Sequence, residues 1–361
     1  MVKTIFSGYW GKNHCQGITL DTAHKYVYYS FTTKLIKSDI YGNIIGSVDN
    51  ITGHLGCIDF NDDDGKVYAS LEYKNDEIGK GILARLGISV DNIQDAFYIA
   101  IFDVDKIDRL DMDAEKDGIM RAVYLKEVYG DFIGKTENGG VERAHVLGCS
   151  GIDGLAIGPD FGAEKGSKNF LHVCYGVYSD VTRTDNDYQV ILQYNVDGWW
   201  EKAKPLNQRK MYKDGPESPR NKYFLYTGNT TYGVQNLEYD SYTGDYIACV
   251  YCGKKPEFPN YATFVIDGSK KAEVQKLKGF ENGEEGKVLT LKEVGDVVNG
   301  VSGFFFMSPT LNAPIGDMGI YSMGDGTFYV TDPIWTNLDN LSVNVKLFKL
   351  ETGKKWKFVL L

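Results

Sequence analysis

His14 and His54 stand forty residues apart, each four positions ahead of an apolar, strand-like stretch: Asn13–Asp21 reads NHCQGITLD and Gly53–Asn61 reads GHLGCIDFN. The chain has only five histidines, so the recurrence at one offset calls for a physical reason. If equivalent positions of a repeated unit converge, these imidazoles meet near one axis. Aligning the apolar cores of five such stretches puts Ile18, Ile58, Leu155, Leu237 and Ile320 in one register. Gln16, Asp153 and Gln235 then share a column two positions upstream and form a polar collar with His14 and His54, with His145 and Asn236 close by. Neutral imidazoles and a carboxylate in one mouth can hold a divalent ion, polarise a substrate or shuttle protons. His14, His54 and Asp153 are the expected ligands of such an ion, which would be Ca, Mg, Mn or Zn. The alternative is that these groups bond neighbouring loop carbonyls and hold the units together.

A second set is acidic. Asp59 and Glu238 fall one position after the register residues and Asp153 two before. Carboxyls facing one pocket divide acid and base roles, because burial and mutual repulsion separate their pKa values. His14, His54, Asp153, Asp59 and Glu238 are therefore the candidate catalytic residues. Gln16, Gln235, Asn236, His145, Tyr232 and Trp335 are the candidate ligand contacts, the two aromatic rings offering a stacking floor for a sugar. Asp113, Glu115, Asp117 and Gly118 open like a calcium loop, but Tyr124 stands where its bidentate Glu belongs, so a solvated acidic turn is expected. Cys249 and Cys252 have CxxC spacing on a strand, where an odd offset sends the thiols to opposite faces. Reduced, buried thiols are expected instead. No nucleophile elbow, phosphate-cradling loop or HExxH is present.

The elements that would position these residues are strands. Twenty-five Tyr, 18 Phe and 41 Gly against 9 Pro suit short pleated strands joined by tight turns. The net charge of −10 gives no footprint for nucleic acid. No apolar run is long enough to span a bilayer and no basic amphipathic segment suggests membrane binding. The first residues lack a signal-peptide pattern, so a cytoplasmic protein is expected, or a secreted one if a leader has been removed.

Residues 16 to 51 read as four strands, QGITLD, YVYYSFT, LIKSDI and IIGSVDNI, in an antiparallel meander. The pattern returns four times. Its later outer strands are expected at RAVYLKEV, around EKAKPL, at KVLTLKEV and at KWKFVLL. The insertions are Lys74–Ala96, Asp103–Gly118, Asn207–Thr231 and Gly279–Asp317. Five four-stranded antiparallel sheets set radially make an all-β propeller; six blades are the alternative if an insertion conceals one. A single domain over residues 1–361 is expected, with VKTIFSGYW adding a strand to the outer edge of the last blade and closing the ring.

QGITLDTAHKYVYYSFTTKLIKSDIYGNIIGSV resembles a repeat of NHL-type or gluconolactonase-type propellers, with its apolar inner strand, YVYYS second strand, IKSD third strand and GN turn. That resemblance implies a site at the central channel and, in the lactonases, a metal held by acidic and Asn ligands near inner-strand ends. Asp59, Asp153 and Glu238 are also similar to the Asp-Asp-Glu set of arabinanase-type glycosidases. The leading expectation is a metal-assisted hydrolase or lyase acting on a sugar-derived or ester substrate. The alternatives are a noncatalytic propeller that binds protein or glycan, and an arabinanase-like glycosidase. The expected partner is a small molecule or carbohydrate, with no nucleotide cofactor.

Overall fold

A computed structural model describes residues 1–91, 93–335 and 339–361. Five sheets succeed one another along the chain and form a five-bladed propeller. Their innermost strands are Cys15–Leu20, His54–Asn61, Cys149–Pro159, Thr231–Asp240 and Ile320–Ser322. Each pairs antiparallel with the strand that follows it. In the first blade the strands are Cys15–Leu20, Tyr26–Phe31, Lys34–Asp39 and Ile44–Asp49, within a residue or two of the meander expected there.

The hydrophobic core explains the wheel. Buried apolar side chains divide into five clusters, one between each pair of neighbouring blades. Alternate residues of a strand serve opposite clusters: Tyr28 packs towards the second blade, whereas Val27 and Tyr29 pack towards the fifth. Both faces of each sheet are thus dry, which is why these strands are rich in Tyr, Phe, Ile and Val without a polar side.

At the axis four inner strands carry an irregularity in register: between Cys15 and Gly17, Leu55 and Ile58, Ile152 and Leu155, and on both sides of Val234. A bulge leaves residues unpaired and re-aims them. The column just before the register residues reads Gly17, Cys57, Gly154, Asn236 and Gly319. A Cβ on Gly17 would lie 2.9 Å from Ile58 N, and one on Gly154 2.8 Å from Val234 O. The inner strands therefore approach too closely for larger residues, and Cys57 and Asn236 plug the remaining space. Asn236 Nδ2 donates to Gln16 O at 2.9 Å and to Asp317 O at 2.7 Å, while Cys57 Sγ donates to Asn236 Oδ1 at 3.3 Å.

The outer edges depart from the expected four-strand pattern. The segment around EKAKPL is no strand: Trp199–Lys202 is a short helix, Lys204 bridges to Ala122 of the second blade, and the fourth strand of the third blade is Asn221–Tyr226. Trp199 is buried against the second–third core, whereas the EKAK run has no apolar alternation to pack. KVLTLKEV is likewise divided. Glu285–Val288 runs parallel to Asn221–Tyr226 of the third blade, and only single bridges, Leu291 to Ile266 and Phe304 to Thr263, border the three-stranded fourth blade. RAVYLKEV is strand to Tyr124 and helix over Lys126–Ile133. Insertions thus cap the preceding blade's edge: Met112–Asp113, from the second blade's insertion, lies parallel to the first blade's outer strand. On the fifth blade Thr4–Phe6 pairs with Asn344–Lys346, and Lys357–Leu360 pairs with Phe348–Glu351. Among the described residues no helix is long and apolar enough to cross a membrane.

Candidate functional site

The bulges divide the channel into two halves. On the upper side, where the inner strands begin, His54 is the cross-strand neighbour of Glu72 on the second strand of its blade. Its Nδ1 lies 3.6 Å from Glu72 Oε1, too far for a hydrogen bond, and is buried without a partner. Lys74 Nζ reaches Glu72 Oε1 at 2.6 Å, Asp76 Oδ2 at 3.6 Å and Ser150 O at 2.9 Å. Glu72 Oε2 accepts from Ile152 N of the third blade at 3.1 Å. His54, Glu72 and Lys74 line a cleft of about 910 Å3 over the second blade and form its floor. Its walls are the helix Glu77–Arg85 with the turn after it, the acidic turn at 113–116 and the loop at 207–211.

Electrostatics on this floor are compensated. Burial pushes the Glu72 carboxyl above its ordinary value, with Lys74 pulling it back. Burial also acts against the Lys74 cation, but Glu72 and Asp76 outweigh it and hold the charge in place. His54 is pushed down to about 3, first by burial and then by Lys74, His14 and Arg85. His14 is pushed down to about 4 by burial and by Arg85. Both imidazoles are neutral at physiological pH.

Gln16, Asp153 and Gln235 sit at the bulges, all three buried, and none of them lines the cleft over the second blade. Gln16 Nε2 bonds His14 Nδ1 at 2.8 Å, and Gln235 Nε2 donates to Tyr232 O at 3.0 Å. Asp153 is 8% exposed, with Oδ1 unpartnered. Burial and the nearby Glu72 raise its pKa well above the carboxylate range, and Gln235 partly offsets the shift. Tyr232 is exposed, with its backbone at φ 62°. Trp335, also exposed, follows the second strand of the fifth blade.

Other sequence candidates lie elsewhere. Asp59 and His54 are five residues apart on one strand, roughly 16 Å, with the plugged hub between them. Asp59 accepts from Thr19 Oγ1 at 3.2 Å, Phe60 N at 2.8 Å and Ile157 N at 2.7 Å; Glu238 accepts from Ser322 N at 2.6 Å. Each carboxyl ties its blade to a neighbour. Burial pushes Asp59 up to about 7, and Glu238 is raised by burial and by Asp59. Asp59, Asp153 and Glu238 therefore do not converge on one substrate. His145 is outside the collar, packed between Phe132 and Tyr178 with Nδ1 2.5 Å from Phe132 O. Asn236 belongs to the hub.

Among the described residues no group of three or more His, Cys, Asp or Glu is arranged to hold a metal ion, so His14, His54 and Asp153 are not such a set. Asp113 caps its own turn, accepting from Glu115 N and Lys116 N, both at 3.0 Å. Cys249 and Cys252 are free thiols. The Glu72–Lys74 pair escaped the sequence reading. Its signal was two opposite charges at i and i+2, where the strand Lys66–Tyr73 ends.

No family model matches the sequence, and no curated protein matches it. The NHL and gluconolactonase resemblance of the first blade thus extends to a propeller fold and not to a family. Among solved structures the chain is similar to the propeller of Dos1, with a TM-score of 0.31 and 10% identity over 97% of this chain and 81% of that one.

Proposed function

We propose that the chain is a noncatalytic binding propeller whose upper face takes a neutral, hydroxyl-rich ligand of glycan type. The carrying observation is the cleft of about 910 Å3 over a charge-compensated floor of His54, Glu72 and Lys74. The planar polar groups of His54 and Glu72, with Asn50, Gln208 and Tyr73 lining the same cleft, suit vicinal hydroxyls. The volume falls in the range of small-molecule sites.

Two of the groups that could move protons are engaged in structure, whereas His54 Nδ1 and Asp153 Oδ1 have no hydrogen-bond partner. Glu72 has one oxygen on Lys74 and the other on a neighbouring blade's backbone, and Asp59 is held by three donors. A hydrolase or lyase is the second reading, favoured by the raised pKa values of the neighbouring Glu72 and Asp153.

Titration calorimetry against a panel of neutral oligosaccharides tests the first reading. At least one member should bind, and His54→Ala should weaken it tenfold or more while the melting temperature stays within a few degrees. A panel that neither binds nor raises the melting temperature overturns the site. Turnover of nitrophenyl glycosides or esters that disappears in Glu72→Gln would overturn its noncatalytic character.

A further inference from the structure

The cleft holds far more space than one sugar ring fills, and its walls differ from its floor. Ile82, Leu83, Ile88, Ile93 and Met211 line the same cleft as His54, Glu72 and Lys74. The helix that supplies the first two is loosely seated: Ile82 is its one buried side chain, and beyond it Leu86, Ile88 and Val90 are exposed. Leu83, Ile88, Ile93 and Met211, left partly or largely exposed at an open cleft, retain burial energy that a suitable ligand can collect, about 0.8 kcal/mol for each methylene covered. The floor meanwhile presents no net charge to a head group. Lys74 is cancelled by Glu72, and His54 is neutral.

We infer that the ligand is amphipathic, a neutral glycoside with an aliphatic or aryl tail. The sugar sits on the floor at His54 and the tail lies against Leu83, Ile88 and Met211. Part of the His54 ring meets the cleft while its Nδ1 is sealed 3.6 Å from Glu72 Oε1. A hydroxyl engaging the exposed part of the ring needs only a small shift for Nδ1 to donate to Glu72. This inference rests on the proposed glycan site, but it concerns the tail and the charge of the head.

Calorimetry with methyl and octyl β-glucosides, β-galactosides and α-mannosides, kept below their micelle concentrations, separates the two. At least one octyl glycoside should bind tenfold or more tightly than its methyl counterpart. Leu83→Ser and Met211→Ser should each shrink that ratio at least threefold while leaving the methyl glycoside's affinity unchanged. Octyl sulfate and octyltrimethylammonium should bind at least tenfold more weakly than the octyl glycoside. Methyl and octyl glycosides of equal affinity would overturn the amphipathic ligand and leave the glycan site standing. So would a ratio unmoved by both substitutions, or octyl ions that bind as well as the glycoside. If no glycoside binds at all, the glycan site fails and the inference with it.

Discussion

At the scale of single residues, Asn236 shows how this propeller closes on itself. Its side chain, 1% exposed, bonds carbonyls of the first and fifth blades and accepts from Cys57 of the second. Replacing it by Ala leaves those groups unsatisfied in a dry hub, so urea unfolding should show a loss of about 2–4 kcal/mol. A change under about 0.5 kcal/mol would mean that the hub bonds contribute nothing. Asp59 and Glu238 give the lower half a proton linkage. Asp59 titrates near 7 in the fold against 3.8 ordinarily, so the folded chain keeps a proton that the unfolded chain has released across that window. Its contribution favours the fold at acid pH and is lost as pH rises towards 7. His14 and His54 act with the opposite sign. Their depressed pKa values contribute stability above 6.5 that is lost as pH falls towards about 4 and 3. Glu238→Gln keeps an acceptor for Ser322 N and removes the charge beside Asp59. Between pH 5 and 8 wild type should lose stability relative to this variant, by about 1–3 kcal/mol, in denaturant titrations at each pH. Parallel pH profiles would contradict the coupling.

At the scale of elements, the upper face is stiff on one side and loose on the other. Over the third and fourth blades, Lys255 is buried and bonds Arg183 O, Asn186 and Asp187, while Arg183 pairs with Asp185 at 2.7 Å. Over the second blade, the helix Glu77–Arg85 has one buried side chain, Ile82, and a cap in which Asp76 Oδ1 accepts from Gly79 N at 2.8 Å. Longer contacts run from Arg85 Nη1 to Lys12 O at 3.4 Å and from Tyr178 Oη to Asp76 Oδ2 at 3.5 Å. Asp76→Ala should destabilise that helix by about 1 kcal/mol. Hydrogen exchange should then speed up across 77–85 while the blade strands stay protected, and uniform exchange across the chain would contradict a separately opening wall. The outer strands also show where sequence reading ran out. Inner and second strands were legible because both faces pack and the apolar pattern is dense. The outer positions are filled by insertions from the next blade, whose pairing partners lie far along the chain. KVLTLKEV has a strand's composition, yet nothing local says that its first two residues pair with the third blade.

At the scale of the molecule, the alignment of apolar cores was enough to find the wheel, because five equivalent strands must meet where their columns agree. The column of Gly17, Cys57, Gly154, Asn236 and Gly319 was visible in that alignment as a run of small residues with one amide. Which end of the channel is open was not visible, since it depends on side chains filling the hub. The same filling parts Asp59 and Glu238 from His54 and Asp153. Ring closure makes a further prediction. Ile5 is fully buried on the N-terminal strand that borders the fifth blade. Ile5→Ala should cost about 2–4 kcal/mol and lower the melting temperature of the whole chain in one transition. A variant melting in two steps would mean that the ring does not act as a unit. The binding account is tested most directly by amide chemical-shift mapping with octyl glycosides. Shifts should concentrate at Gly53–His54, Glu72–Lys74, Gly79–Leu83 and Gln208–Met211. Shifts confined to Thr19, Asp59 and Tyr321 on the lower side, or to the blades' outer edges, would contradict it.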